Sequence, residues 1–149
     1  MATIPTGPLY LVAVDGSSPS EVAAAHAFEL AGKTHARLRF VTVEDLDIVR
    51  AQSVASAGLL ALGYESGEAA RDAIAQVKAM AEKHKVKAEF EVMPLGEPAA
   101  SVVREAERVG ATLIILGSHG RTGMARALLG SVAERVVRHA HCSVLVVRK

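Results

Sequence analysis

The chain has 149 residues, 50% of them hydrophobic, with 17 Lys and Arg against 16 Asp and Glu. That near-balance, with three Phe, two Tyr and no Trp, argues against a basic nucleic-acid surface and against a base-stacking platform. A single Cys excludes an internal disulfide and a cysteine-based zinc cluster. The length suits one domain over residues 1–149. No apolar run reaches the ~18 residues of a membrane span. Met1 to Gly7 lacks the basic start and apolar stretch of a signal peptide. The expectation is a cytoplasmic protein that contacts neither membrane nor nucleic acid.

Leu9 to Val14 is a short apolar run that ends at Asp15-Gly16. It reads as a strand buried on both faces. A helix follows, with Ser18 as expected N-cap, Pro19 at N1 and Glu21 at N3 closing a capping box. Ala23, Ala27, Leu30 and Ala31 share one face of it. Leu38 to Val43 is the second strand, and Glu44-Asp45-Leu46-Asp47 reads as a polar connection. Residues 46–64 carry no clear pattern; Gly58 and Gly63 are breaks. From Gly67 to His84 a helical stripe runs through Ala70, Ile74, Val77 and Ala81, with Lys83-His84-Lys85 as a solvated end. Val86 to Met93 alternates apolar and charged residues, as an edge strand with one wet face does.

Glu97-Pro98 opens a third helix, with Val102, Val103 and Ala106 on its apolar side and Gly110 as its stop. Thr112 to Leu116 is the most apolar strand candidate. Ser131 to Glu134 reads as a second capping box, opening a helix that runs to about Ala140. Ser143 to Val147 is the last strand. Strands alternating with helices imply parallel βαβ units, an α/β fold with helices on both faces of the sheet. The expected architecture is a doubly wound, Rossmann-like five-stranded parallel sheet in the order 3-2-1-4-5. Its crevice lies at the carboxyl ends of strands one and four, where the winding reverses. Asp15 and Gly117 end those strands and should face it.

Between strand four and the last helix lies the loop Gly117-Ser118-His119-Gly120 through Gly130-Ser131. Glycines let backbone N–H groups approach an anion, and a helix start adds its positive dipole end. The alternative is that these glycines only shape a turn. The Ser131 hydroxyl can cap its helix or donate to a phosphate. Arg121 and Arg126 are candidate phosphate contacts. Asp15 can bind a ligand or cap its own turn. No G-x-x-x-x-G-K-[ST] is present, and no G-x-G-x-x-G follows strand one, so the P-loop and dinucleotide patterns are absent. His119 has no evident orienting partner for base catalysis, so no catalytic residue is assigned. His139, His141 and Cys142 lie close together but lack a matching second cluster, so no metal ligand is assigned.

With its spacing G-x2-G-x9-G-S, carried by Gly117, Gly120, Gly130 and Ser131, the chain resembles the universal stress protein family, in its ATP-binding subgroup. Val14-Asp15-Gly16-Ser17 and the closing stretch from Gly130 to Val147 resemble it too. The resemblance covers essentially the whole chain. It implies that Asp15 lies near ribose and adenine, with the backbone of Ala13 and Val14 beside the base. It implies backbone hydrogen bonds from Val43 to adenine. Leu116, Gly117, His119 and Gly120 would line the ribose and phosphates, and Gly130, Ser131 and Val132 would bind the phosphate tail. The implied cofactor is ATP, or ADP or AMP, with Mg²⁺. The implied function is an ATP-binding stress-response or regulatory protein. Alternatives are a slow ATPase or other phosphoryl-transfer enzyme, and a dimeric interaction module without nucleotide. The last strand, Val144 to Val147, is apolar on both faces yet falls at a sheet edge. That predicts a homodimer through it.

Overall fold

A computed structural model describes residues 7–45, 67–120 and 128–149. The unclear stretch 46–64, and Arg121 and Arg126, lie outside these. Five parallel strands form one sheet: β1 (Leu9–Ala13), β2 (Arg37–Asp45), β3 (Ala88–Gly96), β4 (Leu113–Gly117) and β5 (Ser143–Val147). Their order is β3-β2-β1-β4-β5, as expected. Four helices connect them among the described residues: α1 (Ser18–Thr34), α2 (Glu68–His84), α3 (Pro98–Val109) and α4 (Ser131–His139).

The pleat sends alternate residues into two cores. Tyr10, Val12, Leu38, Phe40 and Ile115 pack under α1 and α2, against Ala23, Ala27, Phe28, Ile74, Val77 and Ala81. Leu11, Val41, Ile114 and Leu116 pack under α3 and α4, against Ala99, Val102, Ala106 and Val136. The alanine stripe of α1 is fully buried at Ala23 and Ala27. Small side chains there let the helix axis lie close to the sheet. The rings that exist are concentrated: Phe40 lies between Phe28 and Phe90, with centroids 5.1 and 5.6 Å away.

Several element ends differ from expectation. The α1 N-cap is Ser17, not Ser18, and its side chain accepts from the Ser20 N–H. Either serine can cap, but only Ser17 has the extended backbone of an N-cap. Glu21 therefore sits one position too late for a capping box. The α4 N-cap is Gly130, with no side-chain cap, so Ser131 is the first helical residue and its hydroxyl does not cap. Glu44 and Asp45 extend β2 rather than forming a connection, and β3 runs on to Gly96, paired with Asp45 after an irregularity. The expected wet face of β3 is ion-paired. Arg39 donates to Glu89, Glu91 and Glu105, and Arg108 also holds Glu105. His84 is not merely solvated, since its ring stacks on Phe28 at 5.1 Å. α3 opens and closes as read: Glu97 accepts from the Ala99 and Ala100 N–H groups, and Gly110 closes it at φ 65°.

Candidate functional site

The register fixes which residues meet at the carboxyl edge. Val41, Ala13, Leu116 and Val146 form one row across β2, β1, β4 and β5. Val14, Asp15, Val43, Gly117 and His119 follow that row in their own chains, so these sequence-predicted positions gather at one end of the sheet. Ala13 and Val43 are partly buried against the second core. Val14 is buried, and its N–H donates to the Val41 carbonyl at 2.9 Å.

Asp15 begins the turn into α1. Its Oδ1 accepts from the Ser17 N–H at 2.9 Å, and its own N–H reaches Ser20 Oγ at 3.4 Å. Gly16, at φ 79°, makes the left-handed step that a side chain resists. Asp15 therefore does shape its own turn, while its carboxylate still lies at the crevice beside Gly120.

Each motif glycine sits at a close approach, against backbone at Gly117 and Gly130 and against a movable carboxylate at Gly120. A Cβ on Gly117 would stand 2.8 Å from the Pro19 carbonyl carbon, one on Gly120 2.7 Å from Asp15 Oδ2, and one on Gly130 2.9 Å from the Ser118 carbonyl oxygen. The loop is also pinned at both ends. The Ser118 N–H donates to Val147 O at 2.9 Å, and the Gly130 N–H donates to Ser118 O at 2.8 Å. These bonds hold the α4 start against the end of β4.

That start suits an anion. Glu134 N–H returns to Gly130 O at 2.9 Å, the first intrahelical bond. The N–H groups of Ser131, Val132 and Ala133 have no acceptor within their helix, and the dipole end is positive. Ser131 is exposed and Val132 half-buried. A second polar feature lies beside them. His119 Nδ1 is 3.0 Å from Ser118 Oγ, and Nε2 is buried without a hydrogen-bond partner among the described residues. Such an atom loses its hydration unless a ligand or water supplies a partner. The free N–H groups at the α4 start therefore fit a phosphate group, with the His119 backbone next to Gly130.

Sequence reasoning missed Ser17, Pro19, Ser20 and Ser118, which build the walls of this site. Ser20 and Ser118 are each 4% exposed. Ser17 next to Gly16 and Ser118 next to Gly117 gave a signal, a small polar residue beside a glycine; Pro19 and Ser20 gave none. The structure does not bring His139, His141 and Cys142 into a ligand set: among the described residues no group of three His, Cys, Asp or Glu could hold a metal. Cys142 packs on the second core, and burial pushes its thiol pKa up.

Comparison with known proteins fits this geometry. The family model for the universal stress protein family matches residues 10–148. A universal stress protein of Methanocaldococcus jannaschii is 41% identical over 141 residues, covering 93% of this chain and 81% of the relative. Among solved structures, universal stress protein UspA from Lactobacillus plantarum has 26% identity and a TM-score of 0.75, covering 95% of this chain and 97% of its own. A universal stress protein solved in complex with cAMP has 28% identity and a TM-score of 0.66, covering 95% of this chain and 97% of its own. With the fold, the glycine spacing and the matched span in agreement, the chain belongs to the universal stress protein family.

Proposed function

We propose that this chain is an adenine-nucleotide-binding regulatory protein of the stress response, and that ATP, with Mg²⁺, is its ligand. The observation that carries this reading is the uncapped α4 start, held by Gly130 against Ser118. The relative solved with cAMP supports the adenine nucleotide class. In this reading residues 1–149 are one nucleotide-binding domain. Ala13, Val14 and Val43 border the adenine, and Asp15 the ribose. Leu116, Gly117, His119 and Gly120 line ribose and phosphates. Gly130, Ser131 and Val132 hold the phosphate tail through backbone N–H groups and the Ser131 hydroxyl. A hard cation there would neutralise clustered phosphate oxygens.

The working unit is a cytoplasmic homodimer joined through β5. Two features support the dimer. β5 is a sheet edge without a charged residue from Ser143 to Val147, and Leu145 on it is 37% exposed.

Calorimetric titration of ATP, ADP, AMP and cAMP, with and without Mg²⁺, tests the proposal, with phosphate release assayed in the same samples. Binding without turnover, lost in Ser131→Pro, supports it; this variant removes one N–H at a helix position that tolerates proline. Turnover that disappears in His119→Ala would instead make the chain a slow ATPase. Absence of binding by every nucleotide would leave an interaction module.

A further inference from the structure

The opposite, amino edge of the sheet carries a second feature that nucleotide binding does not use. α1 and α2 end there side by side, and their exits into β2 and β3 follow a common pattern: a Lys in the last turn, a left-handed C-cap and a cation two residues beyond it. The first runs Lys33-Thr34-His35-Ala36-Arg37-Leu38 and the second Lys83-His84-Lys85-Val86-Lys87-Ala88. Leu38 pairs with Ala88 in the parallel ladder. Continuing that register by one residue sets Arg37 beside Lys87, on strands ~4.8 Å apart. Residues 33–37 and 83–87 carry five of the 17 Lys and Arg and none of the 16 Asp and Glu. The rest of the chain is therefore net acidic.

Two observations separate this edge from ordinary helix-end charge. Lys33, Lys83 and His84 lie in last turns, where positive charge complements the dipole. Arg37 and Lys87 lie beyond the helices, on the strands or their approach, and are not explained that way. Further, His35 at φ 55° and Lys85 at φ 54° are the non-glycine residues with positive φ among those described. Both are C-caps, the position where glycine is usual. α3 does use glycine there, at Gly110. At the paired exits this chain instead bears side chains on backbone that disfavours them.

The charges are available. His35, Lys83, Lys85 and Lys87 are exposed, and among the described residues Lys83, Lys85 and Lys87 have no ion-pair partner. Lys33 is held by Glu29 at 2.7 Å. Of the nearby acids, Glu82 is exposed and Glu89 is bonded to Arg39.

We infer that this double row of cations is a docking surface for an acidic segment of a partner protein. Charge complementarity selects an anion. Among the described residues the exposed large hydrophobics are Val92, Leu95, Leu128, Val137 and Leu145; none belongs to these exits, so the described surface here offers no apolar anchor for a membrane. The Phe rings that could stack a base are packed against one another, and the chain's net charge of +1 supplies no polyanion field.

The test is amide chemical-shift mapping of the full chain with an octaglutamate peptide, repeated with a short DNA duplex and with phosphatidylglycerol vesicles. Shifts confined to 33–37 and 83–87, weakening steeply with salt, are expected. Lys83→Gln combined with Lys85→Asn and Lys87→Gln should weaken the peptide about tenfold and leave nucleotide affinity unchanged. His35→Gly with Lys85→Gly should weaken the peptide while holding or raising Tm, because glycine relieves both left-handed residues. Peptide affinity unchanged in the triple variant, shifts centred elsewhere, or tighter binding to duplex or vesicle at equal salt would each overturn the proposal.

Discussion

The Asp15 carboxylate occupies the space beside Gly120: a Cβ there would stand 2.7 Å from Oδ2. The loop after β4 and the turn after β1 are thus fitted to each other across the crevice. Gly120→Ala tests that fit. The obstructing atom ends a short side chain, so Asp15 can swing aside, at a cost of about 1 kcal/mol. The variant should fold with a slightly lowered Tm and, if Asp15 has the ribose role proposed above, bind nucleotide about tenfold more weakly. Wild-type affinity by calorimetry would remove Asp15 from the proposed site.

Gly130→Val is a different experiment. From sequence, a side chain here is expected to enter the anion space and leave the fold intact. In the structure its Cβ would meet the Ser118 carbonyl at 2.9 Å and His119 Cα at 3.2 Å. Backbone, unlike a carboxylate, cannot swing aside. The bond from Gly130 N–H to Ser118 O would break, and α4 would part from the end of β4. We expect a loss of about 1–3 kcal/mol in chemical denaturation, together with the loss of phosphate binding. An unchanged denaturation midpoint would mean that the loop accommodates a branch at this position.

The contrast shows where a sequence is readable. The elements and their buried faces follow from apolar runs and helical stripes, which are local, and the strand order follows from their alternation in a doubly wound sheet. Helix α3 is legible because Glu97, Pro98 and Gly110 admit a single assignment. Helix α1 is offset by one residue because Ser17 and Ser18 are both good caps and Pro19 fits either first or second helical position. For α4, the Ser131 to Glu134 spacing imitates a capping box. A long-range bond, Gly130 N–H to Ser118 O, decides the cap instead. The site is legible as a set of positions, whereas the contacts that shape it are not. Asp15 against Gly120 and Pro19 against Gly117 join distant parts of the chain. The same holds for Arg39, whose charge reads as surface until β3 and α3 bring three carboxylates to it.

Glu105 is 5% exposed and bonded to both Arg39 and Arg108. The Arg108 hydrogen bond, opposed by burial and helped by Arg39, holds its pKa below the usual carboxylate value of 4.5. A depressed folded-state pKa gives stability that is present above the unfolded value and is lost as pH falls through the folded one. Arg39→Met should cost about 1–2 kcal/mol at neutral pH, because Glu105 keeps only Arg108 and the half-exposed Glu89 and Glu91 lose a shared partner. The deficit should shrink as pH falls through the lowered pKa of Glu105, when its carboxyl protonates in both proteins. A deficit independent of pH would assign the loss to packing of the Arg39 stem alone.

Glu97 offers a milder case on the same helix. Burial pushes its carboxyl up, but the Ala100 and Ala99 N–H groups and Arg135 outweigh that and hold it low. Glu97→Ala should destabilise by about 1 kcal/mol, and the difference should fade as pH drops below the ordinary carboxylate range. Glu97→Asp, which can still cap, should recover most of it. Equal losses for alanine and aspartate would place the effect in the Arg135 contact, 3.2 Å away, rather than in the cap.

The edge strand makes the last prediction. β5 exposes Leu145 at 37%. Open backbone groups on an uncharged edge pair readily with another strand, and a two-fold partner would present the same strand in return. Light scattering should give twice the 15.6 kDa chain mass at micromolar concentration. Leu145→Asp places a charge in each half of the interface and should return the protein to chain mass. Because Leu145 is not buried in the single chain, the variant should keep its fold and its nucleotide affinity. A wild-type monomer would refute the β5 dimer. A dimer that survives Leu145→Asp would move the contact away from this strand.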